Sequence, residues 1–249
     1  MKYSCDLHLH SCLSPCGDDD MTPNNIAGMA VLNGLEIVAL TDHNSCKNCP
    51  AFFAACKRQG LVPIPGMELT TAEDIHLVCL FETLEAAMAF DREIEKHRLG
   101  VKNRPEIFGN QLILDDDDLP IGMEEALLIN ATDLTIEAAA RLAQTFGAAV
   151  FPAHVDREAN GLLAILGTMP QEPCFSAVEF HDAENIAPYT AQFELSDKRT
   201  VVSSDAHNLW SIQEAGQMCF DLNVEPYSGQ GVRSAVIALL RTETGEKLS

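Results

Sequence analysis

Basic residues are scarce in this sequence. Its 249 residues include 37 Asp and Glu but only 16 Lys and Arg, so the formal net charge at pH 7 is −21. A field of that sign repels polyanions, which argues against non-specific contact with nucleic acid or with an anionic membrane. It also disfavours capture of a phosphorylated molecule unless bound cations reverse the sign locally. Phosphate chemistry in such a chain would therefore require metal ions.

Long apolar stretches are missing too. No run approaches the roughly 18 residues needed to cross a bilayer, and residues 1–6 lack the apolar core of a secretory signal peptide. We therefore expect a cytoplasmic protein without a membrane partner. In that compartment the nine cysteines are expected to be reduced thiols rather than a disulfide framework.

Strand-like and helix-like segments alternate along most of the chain, a pattern typical of βα units around a parallel sheet. The alternation breaks between about residues 82 and 134. There a helical stretch, an apolar run, an acidic turn and a second short run predict a helix and a β-hairpin. Since no repeat or low-complexity linker is present, we predict one α/β domain over residues 1–249 with an insertion or cap element at about 82–134.

The first predicted strand ends in Asp6-Leu7-His8-Leu9-His10. Side chains alternate along a strand, so His8 and His10 should share one face while Leu7 and Leu9 share the other. In isolation, such a pair is at least as often two hydrogen-bonded histidines as half of a metal site. Most later strands, however, also carry a potential ligand at one end. These residues are His43, Glu68, His76, His154, His181, Asp205 and His207.

In parallel α/β barrels the catalytic groups gather where the carboxyl ends of the strands meet. Of the eight histidines, only His97 lies away from such a junction, in a charged helical segment. Imidazole together with carboxylate suits zinc, manganese or iron, whereas oxygen-only sites suit magnesium or calcium. Because about nine ligands are too many for one ion, we expect two or three divalent metal ions.

The motifs DLHLHS, TDHN, GMEL with a later histidine, PAH and SDAH occur in this order between Asp6 and His207. Each motif is weak alone, but the ordered set resembles the PHP (polymerase and histidinol phosphatase) superfamily of metal-dependent phosphoesterases. The resemblance implies a distorted TIM-like (β/α)7 barrel with a trinuclear site. It also implies a hydrolase, a phosphatase or phosphodiesterase, in which a metal-bridging hydroxide attacks phosphorus.

Carried over motif by motif, the resemblance implies three metal positions. The ligands are His8, His10, Glu68 and Asp205 for the first ion, Glu68 with His76 and His154 for the second, and His43 with His207 for the third. The third position also needs an aspartate, which superfamily members usually carry in a Ser-Asp-Gly sequence. This chain has Ser14-Pro15-Cys16-Gly17-Asp18 instead. We assign Asp18 to the position and keep Asp20 as the alternative.

Three residues are candidates for direct catalytic roles. Besides Asp205, they are Arg157, whose planar fork suits a phosphate, and His181, which could touch the substrate or donate a proton. An ordinary surface role is the competing interpretation of Arg157 and His181. Asp6 and Asp42 could orient ligand histidines or act only as surface or cap residues.

Four cysteines lie in the loops that a barrel would bring to one mouth: Cys12, Cys16, Cys46 and Cys49. They could hold a structural zinc or an iron–sulfur cluster, or they could be reduced thiols that pack the loops. The alternative to an enzyme is therefore a non-catalytic metal- or redox-sensing module. Within enzymes, hydrolysis of C–N or C–O bonds on a related barrel is disfavoured, because no obvious position for a carbamylated lysine is present.

The substrate that best suits this charge balance is a small phosphate ester: a nucleotide, a short oligonucleotide or a phosphomonoester. Duplex nucleic acid and membranes are not expected as partners. The sequence leaves open the choice between mono- and diesters, the native metals and the oligomeric state.

Overall fold

The computed structural model describes residues 1–224 and 228–242. The strands are β1 (Lys2–Leu9), β2 (Ile37–Leu40), β3 (Val62–Thr70), β4 (His76–Leu80), β5 (Leu112–Leu114), β6 (Pro120–Met123), β7 (Ala149–Pro152), β8 (Ala177–Phe180), β9 (Arg199–Val202) and β10 (Cys219–Asp221). The helices are α1 (Pro23–Leu32), α2 (Cys49–Gln59), α3 (Leu84–Ile94), α4 (Pro105–Phe108), α5 (Ile136–Thr145), α6 (Leu162–Leu166), α7 (Ile186–Phe193) and α8 (Gly229–Leu240). In these two ranges no helix has the length and apolarity that crossing a membrane requires.

Seven of these strands form a distorted barrel. Strands β1, β2 and β3 pair in parallel, β4 lies between β3 and β7, and β8 pairs in parallel with β9. A parallel bridge between Leu9 and Ala206 brings the chain after β9 back to the end of β1. Between β7 and β8 the backbone N–H of Val155 donates to the carbonyl of Glu179 across 2.8 Å. The predicted TIM-like barrel is confirmed, and β10 extends its sheet beyond β1.

Strand β4 departs from the predicted parallel rhythm because it runs antiparallel to both β3 and β7. Only residues 71–75 separate β3 from β4, too few for the crossover that a parallel pair requires, so the chain turns back as a hairpin. The beginning of β4 therefore lies at the barrel end where β1, β2 and β3 finish. His76, the first residue of β4, pairs there with Thr70.

Alternate side chains of the barrel strands enter two different cores. Val38 points to the outer core, where Phe52 of α2 packs, whereas Ile37 points to the inner core with Phe151 of β7 and Val236 of α8. Helix α8 closes the end of the barrel at which the parallel strands begin. Full burial of each such side chain stabilises the fold by about 1.5–3 kcal/mol. The opposite end is left to polar residues.

Strand β1 loses its regular register between Asp6 and Leu9. Leu7 belongs to the inner core and Leu9 to the outer core, so the alternation fails between them. The irregularity places His8 directly after Leu7 on the inner face, where its Nε2 lies 3.1 Å from that of His10. The expectation that Leu7 and Leu9 share a face is therefore wrong. Bulges of this kind re-aim side chains next to active sites.

The segment at 82–134 contains α3, α4 and the hairpin of β5 and β6. The N–H of Leu112 in this hairpin donates to the carbonyl of Cys12 across 2.9 Å. The amide of Asn44 donates to the carbonyls of Leu128 and Asn130. These bonds fasten the segment to the loops that follow β1 and β2, at the polar end of the barrel.

Candidate metal centre

Eight of the nine predicted metal ligands converge at the barrel end where the parallel strands finish. Their donor atoms form groups in which all members lie within 4.8 Å of one another. The groups are His8, His10, Glu68 and Asp205; His43, Glu68 and His76; and His10, His43 and His207. His154 adjoins them through its Nε2, which is 3.1 Å from Glu68 Oε1. His76 can take part because β4 is antiparallel and starts at this end.

Glu68 is the centre of the cluster. Its side chain is buried, and its oxygens lie 2.8–3.3 Å from a ring nitrogen of each of five histidines. The five are His8, His10, His43, His76 and His154. Burial alone would raise the pKa of Glu68, but the surrounding histidines, His76 foremost, hold it well below its usual range. The carboxylate is thus ionised and shared by several potential metal positions.

In the first ligand group, the side chains that face one another can all act as hydrogen-bond acceptors. They are His8, His10, Glu68 and Asp205. His8 Nδ1 donates to Glu179 Oε1 across 2.8 Å, so in the neutral ring Nε2 carries a lone pair. Ser14 Oγ donates to a carboxylate and accepts from His10 Nδ1, which leaves a lone pair on His10 Nε2 as well. Both Nε2 atoms lie within 3.4 Å of Asp205 Oδ1. Lone pairs and carboxylates packed so closely repel one another unless a proton or a metal ion lies between them. These residues therefore fit a divalent metal ion with nitrogen and oxygen ligands.

A second observation supports the same fit. His43 Nδ1 and Glu68 Oε2 lie 3.0 Å apart but are not aligned for a hydrogen bond, and both atoms are buried without another partner. His154 Nδ1 is also buried and unpartnered. Buried polar atoms are almost always satisfied in native proteins. Orphaned donor atoms around one carboxylate are therefore consistent with metal ligation.

In the metal-free protein, protons compensate the buried carboxylates. Burial alone would lower the pKa of His10, but the hydrogen bond to Asp205 and the nearby carboxylate of Glu68 raise it to about 9. The Glu68 carboxylate overrides burial in the same way and raises the pKa of His43 to about 9. Burial, together with the His10 and His43 rings, lowers the pKa of His207 to about 3. Metal ions must displace the protons of His10 and His43, because only deprotonated imidazole binds a metal.

Three residues of the site have a left-handed backbone. The φ angles are 47° at Asn44, 27° at His154 and 52° at Asp205. Such conformations cost non-glycine residues about 1–3 kcal/mol unless the surroundings impose them. At Asn44 the side chain accepts from the N–H of Thr70 and donates to two carbonyls, which holds the loop after β2 in place. Backbone strain thus occurs at the ends of the strands that carry the predicted metal ligands.

Glu179 is a functional residue that the motifs do not reveal. It lies in β8 with 1% of its surface exposed, accepts from His8 Nδ1 across 2.8 Å, and accepts from the N–H of His154 across 3.2 Å. It therefore fixes the tautomer of one ligand and the backbone of another. The available signal was a single carboxylate within the apolar strand Ala177–Phe180.

Asp42 acts on a ligand through a serine. It accepts from Ser14 Oγ and from the N–H and hydroxyl of Ser11, and Ser14 in turn orients the His10 ring. Asp6 does not contact a ligand ring. It accepts from the N–H and hydroxyl of Ser204, and its pKa is raised to about 6 by burial. Asp6 therefore positions the loop that carries Asp205.

The structure does not bring Asp18 into the ligand groups. Its side chain is exposed, as is that of Asp20, and its backbone N–H donates to the carbonyl of His207 across 2.9 Å. Cys16 lies near His43 instead, and its side chain helps to raise the pKa of that ring.

A tight turn explains this arrangement. The N–H of Gly17 donates to the carbonyl of Ser14, which leaves Cys16 at the tip. A Cβ at Gly17 would lie 2.7 Å from the Ser11 carbonyl oxygen, so the turn requires glycine there. The turn ends before Asp18, and the aspartates that follow face solvent.

Arg157 and His181 lie together at the edge of the cluster. Arg157 Nη1 donates to Asp205 Oδ2 across 2.5 Å, and its Nη2 lies 3.1 and 3.2 Å from the two ring nitrogens of His181. Arg157 is partly exposed, so its remaining N–H groups are available to an anion. The predicted substrate-contacting pair is thus assembled next to a predicted ligand.

The four loop cysteines do not form a common site. Cys46 Sγ donates to the Gly66 carbonyl across 3.1 Å and Cys49 Sγ lies 3.7 Å from the same oxygen, whereas Cys16 is exposed. Burial raises the pKa of Cys12 to about 12, so this thiol is protonated. Within residues 1–224 and 228–242, no group of three or more potential metal ligands includes a cysteine. The sensing-module alternative therefore lacks an assembled site.

Two cavities meet at this end of the barrel. The smaller, which we call the ligand cavity, has a volume of about 180 Å³ and is lined by residues that include His43, Glu68 and His76. The larger, which we call the groove, has a volume of about 850 Å³ and extends to Trp210. Both are lined by Arg157, Asp205 and His207.

Comparison with known proteins finds a family that part of this chain resembles. Residues 6–116 match the family model described as the PHP domain. The superfamily resemblance of the motifs is thereby confirmed over this stretch. The match ends before His154, Asp205 and His207, three predicted ligands that the structure brings to the same cluster. One curated relative, an error-prone DNA polymerase of Symbiobacterium thermophilum, is 32% identical over 98 residues.

Solved structures share the fold of this chain. The lesion-specific endonuclease Q of Pyrococcus furiosus has a TM-score of 0.65 at 18% identity over 96% of this chain. A complex of endonuclease Q with a 27-mer duplex that carries an abasic lesion has a TM-score of 0.55 at 18% identity over 84% of this chain. An amidohydrolase of Chromobacterium violaceum with bound sulfate has a TM-score of 0.58 at 18% identity, over 92% of this chain and 96% of its own.

The chain spans only part of several of these proteins. It spans 9% of the polymerase, 56% of the free endonuclease Q chain and 50% of the endonuclease Q chain in the complex. At these identities the structural likeness describes the fold.

Proposed function

We propose that this protein is a metal-dependent hydrolase of phosphoester bonds that acts on a small phosphorylated substrate. The observation that carries the proposal is the set of opposed acceptors at His8, His10, Glu68 and Asp205, next to an arginine with free N–H groups. The first feature fits divalent cations and the second fits a phosphoryl oxygen. An otherwise acidic chain needs both to hold a phosphate.

Each residue has a distinct task in this proposal. The three ligand groups would hold two or three ions of manganese, zinc or iron, which supply Lewis acidity and lower the pKa of water when bound. Glu179 and Ser14 hydrogen-bond to the Nδ1 atoms of His8 and His10, so that the Nε2 atoms of both rings point towards the proposed metal position. Arg157 donates to the phosphoryl group, and His181 beside it gives a proton to the leaving oxygen.

The segment at 82–134 is proposed as a cap of the same domain over residues 1–249. Its hydrogen bonds to the loops after β1 and β2 support a position over one side of the ligand end. Lys47 of the second loop pairs with Glu95 and Glu124 from the segment. A fixed cap narrows access and favours small esters over long polymers.

Small esters are preferred to duplex DNA on electrostatic grounds. The net charge of −21 opposes a polyanion, whose binding usually relies on many lysine and arginine contacts. The likeness to endonuclease Q nevertheless makes an abasic duplex a necessary arm of any substrate screen.

The test is a substrate panel with matched variants. Protein stripped with a chelator and reloaded with Mn²⁺, Zn²⁺ or Fe²⁺ is offered phosphomonoesters, phosphodiesters, nucleotides and an abasic duplex. We expect hydrolysis of small esters by wild type and by His97→Ala, a control that removes a histidine outside the site, and none by His8→Ala. If wild type and His8→Ala are equally inert on every ester, the proposed function is wrong.

A further inference from the structure

Trp210 is the one tryptophan of the chain, and 88% of its surface is exposed. It lies in the short 3-10 turn Leu209–Ser211, three residues after the ligand His207. Tryptophan carries a large aromatic surface that proteins ordinarily bury at least in part. The exposure of Trp210 beside a candidate active site is therefore unusual and is consistent with a role in binding a ligand.

The turn holds this side chain in a defined place. Asn208 caps the turn by accepting from the N–H and the hydroxyl of Ser211, at 3.1 and 3.0 Å. Ile212 on the far side is buried, and Leu209 packs against the outer core. Because the residues on both sides of Trp210 are held in place, its backbone is fixed while its side chain faces solvent. Binding of a ligand would therefore cost little conformational entropy of the protein at this position.

Trp210 lines the groove together with the edge of the metal centre. The groove volume of about 850 Å³ suits a small-molecule ligand. At one end it is bounded by Asp205, His207 and Arg157, and elsewhere by Trp210 and neutral groups such as Ser203 and Gln217. A ligand with a phosphoryl group at the first end would place its remainder along the rest of the groove.

The charges of the side chains that line the groove restrict the chemistry of the part of the ligand beyond its phosphoryl group. Among the described residues that line the groove, Arg157 supplies the one guanidinium and no lysine is present, while Glu214 adds negative charge. A second phosphate away from the metal centre would therefore meet no permanent cation. A neutral, planar group would meet an aromatic face and hydroxyl or amide groups.

We propose that Trp210 is a stacking platform for a planar aromatic group of the substrate. The substrate would then be an ester with one phosphoryl group at the metal centre and an aromatic group, a nucleobase or a simple aryl ring, over the indole. This inference rests on the proposed phosphoester hydrolysis and names the substrate class for it. Stacking of a base on an aromatic side chain is worth about 1–3 kcal/mol, or roughly 5- to 150-fold in affinity.

The first experiment measures binding without turnover. Since wild-type emission comes from Trp210 alone, quenching of tryptophan fluorescence reports on this position directly. His8→Ala protein, which keeps the two ligand groups that lack His8, is loaded with Zn²⁺ and titrated with adenosine monophosphate, phenyl phosphate, ribose phosphate and inorganic phosphate. We expect saturable quenching by adenosine monophosphate, and by phenyl phosphate if a simple aryl ring suffices. We expect none by ribose phosphate or inorganic phosphate, which lack an aromatic ring.

The second experiment measures specificity in the metal-loaded enzyme. Trp210→Ala should lower the ratio of kcat/KM for adenosine monophosphate to that for ribose phosphate by about 5- to 100-fold. Trp210→Phe, which keeps a ring, should retain most of the ratio. Leu119→Ala, which removes a side chain that is 60% exposed on the hairpin of β5 and β6 and lines neither cavity, should leave the ratio unchanged. Thermal unfolding of all variants checks folding.

The outcomes separate this inference from the proposed function. Quenching by ring-bearing phosphates in a protein that hydrolyses no ester would support the platform and overturn the hydrolase. Hydrolysis with an unchanged substrate ratio in Trp210→Ala, or equal quenching by ribose phosphate, would overturn the platform alone. Emission that depends on protein concentration, together with a dimer in sedimentation, would also overturn it by assigning Trp210 to a contact between copies.

Discussion

The two cavities at the barrel mouth share a wall but differ in almost every other property. The ligand cavity of about 180 Å³ is lined mainly by ionisable groups, held on or next to β3, β4 and β7. The groove of about 850 Å³ is lined largely by neutral side chains from residues 202–217, most of them in loops. Under the proposed function, residues at the strand ends would bind the metal ions and residues of the loops would select the substrate.

The division has a physical cause. Strand ends fix side chains within a network of hydrogen bonds, and metal ligands have to be placed that accurately. Loops tolerate changes of sequence because fewer of their backbone groups are tied into a sheet. Substitutions in the ligand cavity should therefore alter metal binding and the chemical step. Substitutions in the groove should alter which ester is used.

The largest expected effect comes from Glu68→Gln. This change removes the charge that several ligand groups share, so we expect loss of bound metal and a fall in activity of about 10³-fold or more. Metal content by mass spectrometry and steady-state kinetics provide the measurement. The exposed Glu184→Gln is the matched control. Full metal content in Glu68→Gln would mean that this carboxylate is not a ligand.

Acidification should empty the ligand cavity without a mutation. Because the pKa values of His10 and His43 are raised to about 9, protons compete with metal ions at pH 7 and are lost as the pH rises towards 9. Apparent metal affinity should increase by about tenfold or more per pH unit over that range. Calorimetry in buffers of different ionisation enthalpy measures the protons released. Uptake without proton release would contradict the raised pKa values.

Substitution of Arg157, which lines both cavities, tests whether this side chain contacts the substrate or supports the metal ligands. Arg157→Ala removes a charge-assisted donor to Asp205 and to the substrate, so kcat/KM should fall by about 10- to 150-fold while the metal content is retained. Kinetics and metal analysis on the same preparation distinguish the two roles. Loss of metal in this variant would assign Arg157 to support of the ligands instead.

Glu179→Gln tests whether the hydrogen bond between Glu179 and His8 contributes to metal binding in the ligand cavity. The amide can no longer favour one tautomer of His8 as the carboxylate does, and the expected loss of metal affinity is about 10- to 100-fold. Competition with a fluorescent chelator measures it, and binding at high metal concentration should restore activity. If the affinity of Glu179→Gln equals that of wild type, the hydrogen bond to His8 does not tune the site.

The smallest effects should separate Cys16 from Asp18. Cys16 contacts His43 whereas Asp18 faces solvent, so Cys16→Ala should change metal content or affinity by a few-fold and Asp18→Asn should not. Titration with Co²⁺ adds a spectroscopic readout, because thiolate ligation gives an intense charge-transfer band. The reverse pattern would restore Asp18 as the ligand of the third position.

Most of the candidate metal centre was predictable because its residues follow short motifs at strand ends, where a parallel barrel collects them. Glu179 was not, because its role depends on β8 lying across the barrel from β1, a distance of 171 positions in the chain. The direction of β4 was missed because a strand pattern carries no sign of its direction. The irregularity in β1 that turns His8 inward depends on pairing with β2, which alternation alone does not encode.

The bridge between Leu9 and Ala206 closes the barrel with residues from the two ends of the fold. His10 and Asp205, which flank it, are separated by 195 positions in the chain. An ion held by both would act as a removable cross-link around almost the whole domain. A covalent link around a loop of 100 residues restricts the unfolded chain by about 4.7 kcal/mol. A metal ion bound at this closure would thus also stabilise the fold against unfolding. Chelation of the ion should promote separation of the chain segments at the Leu9–Ala206 bridge before the sheet itself unfolds.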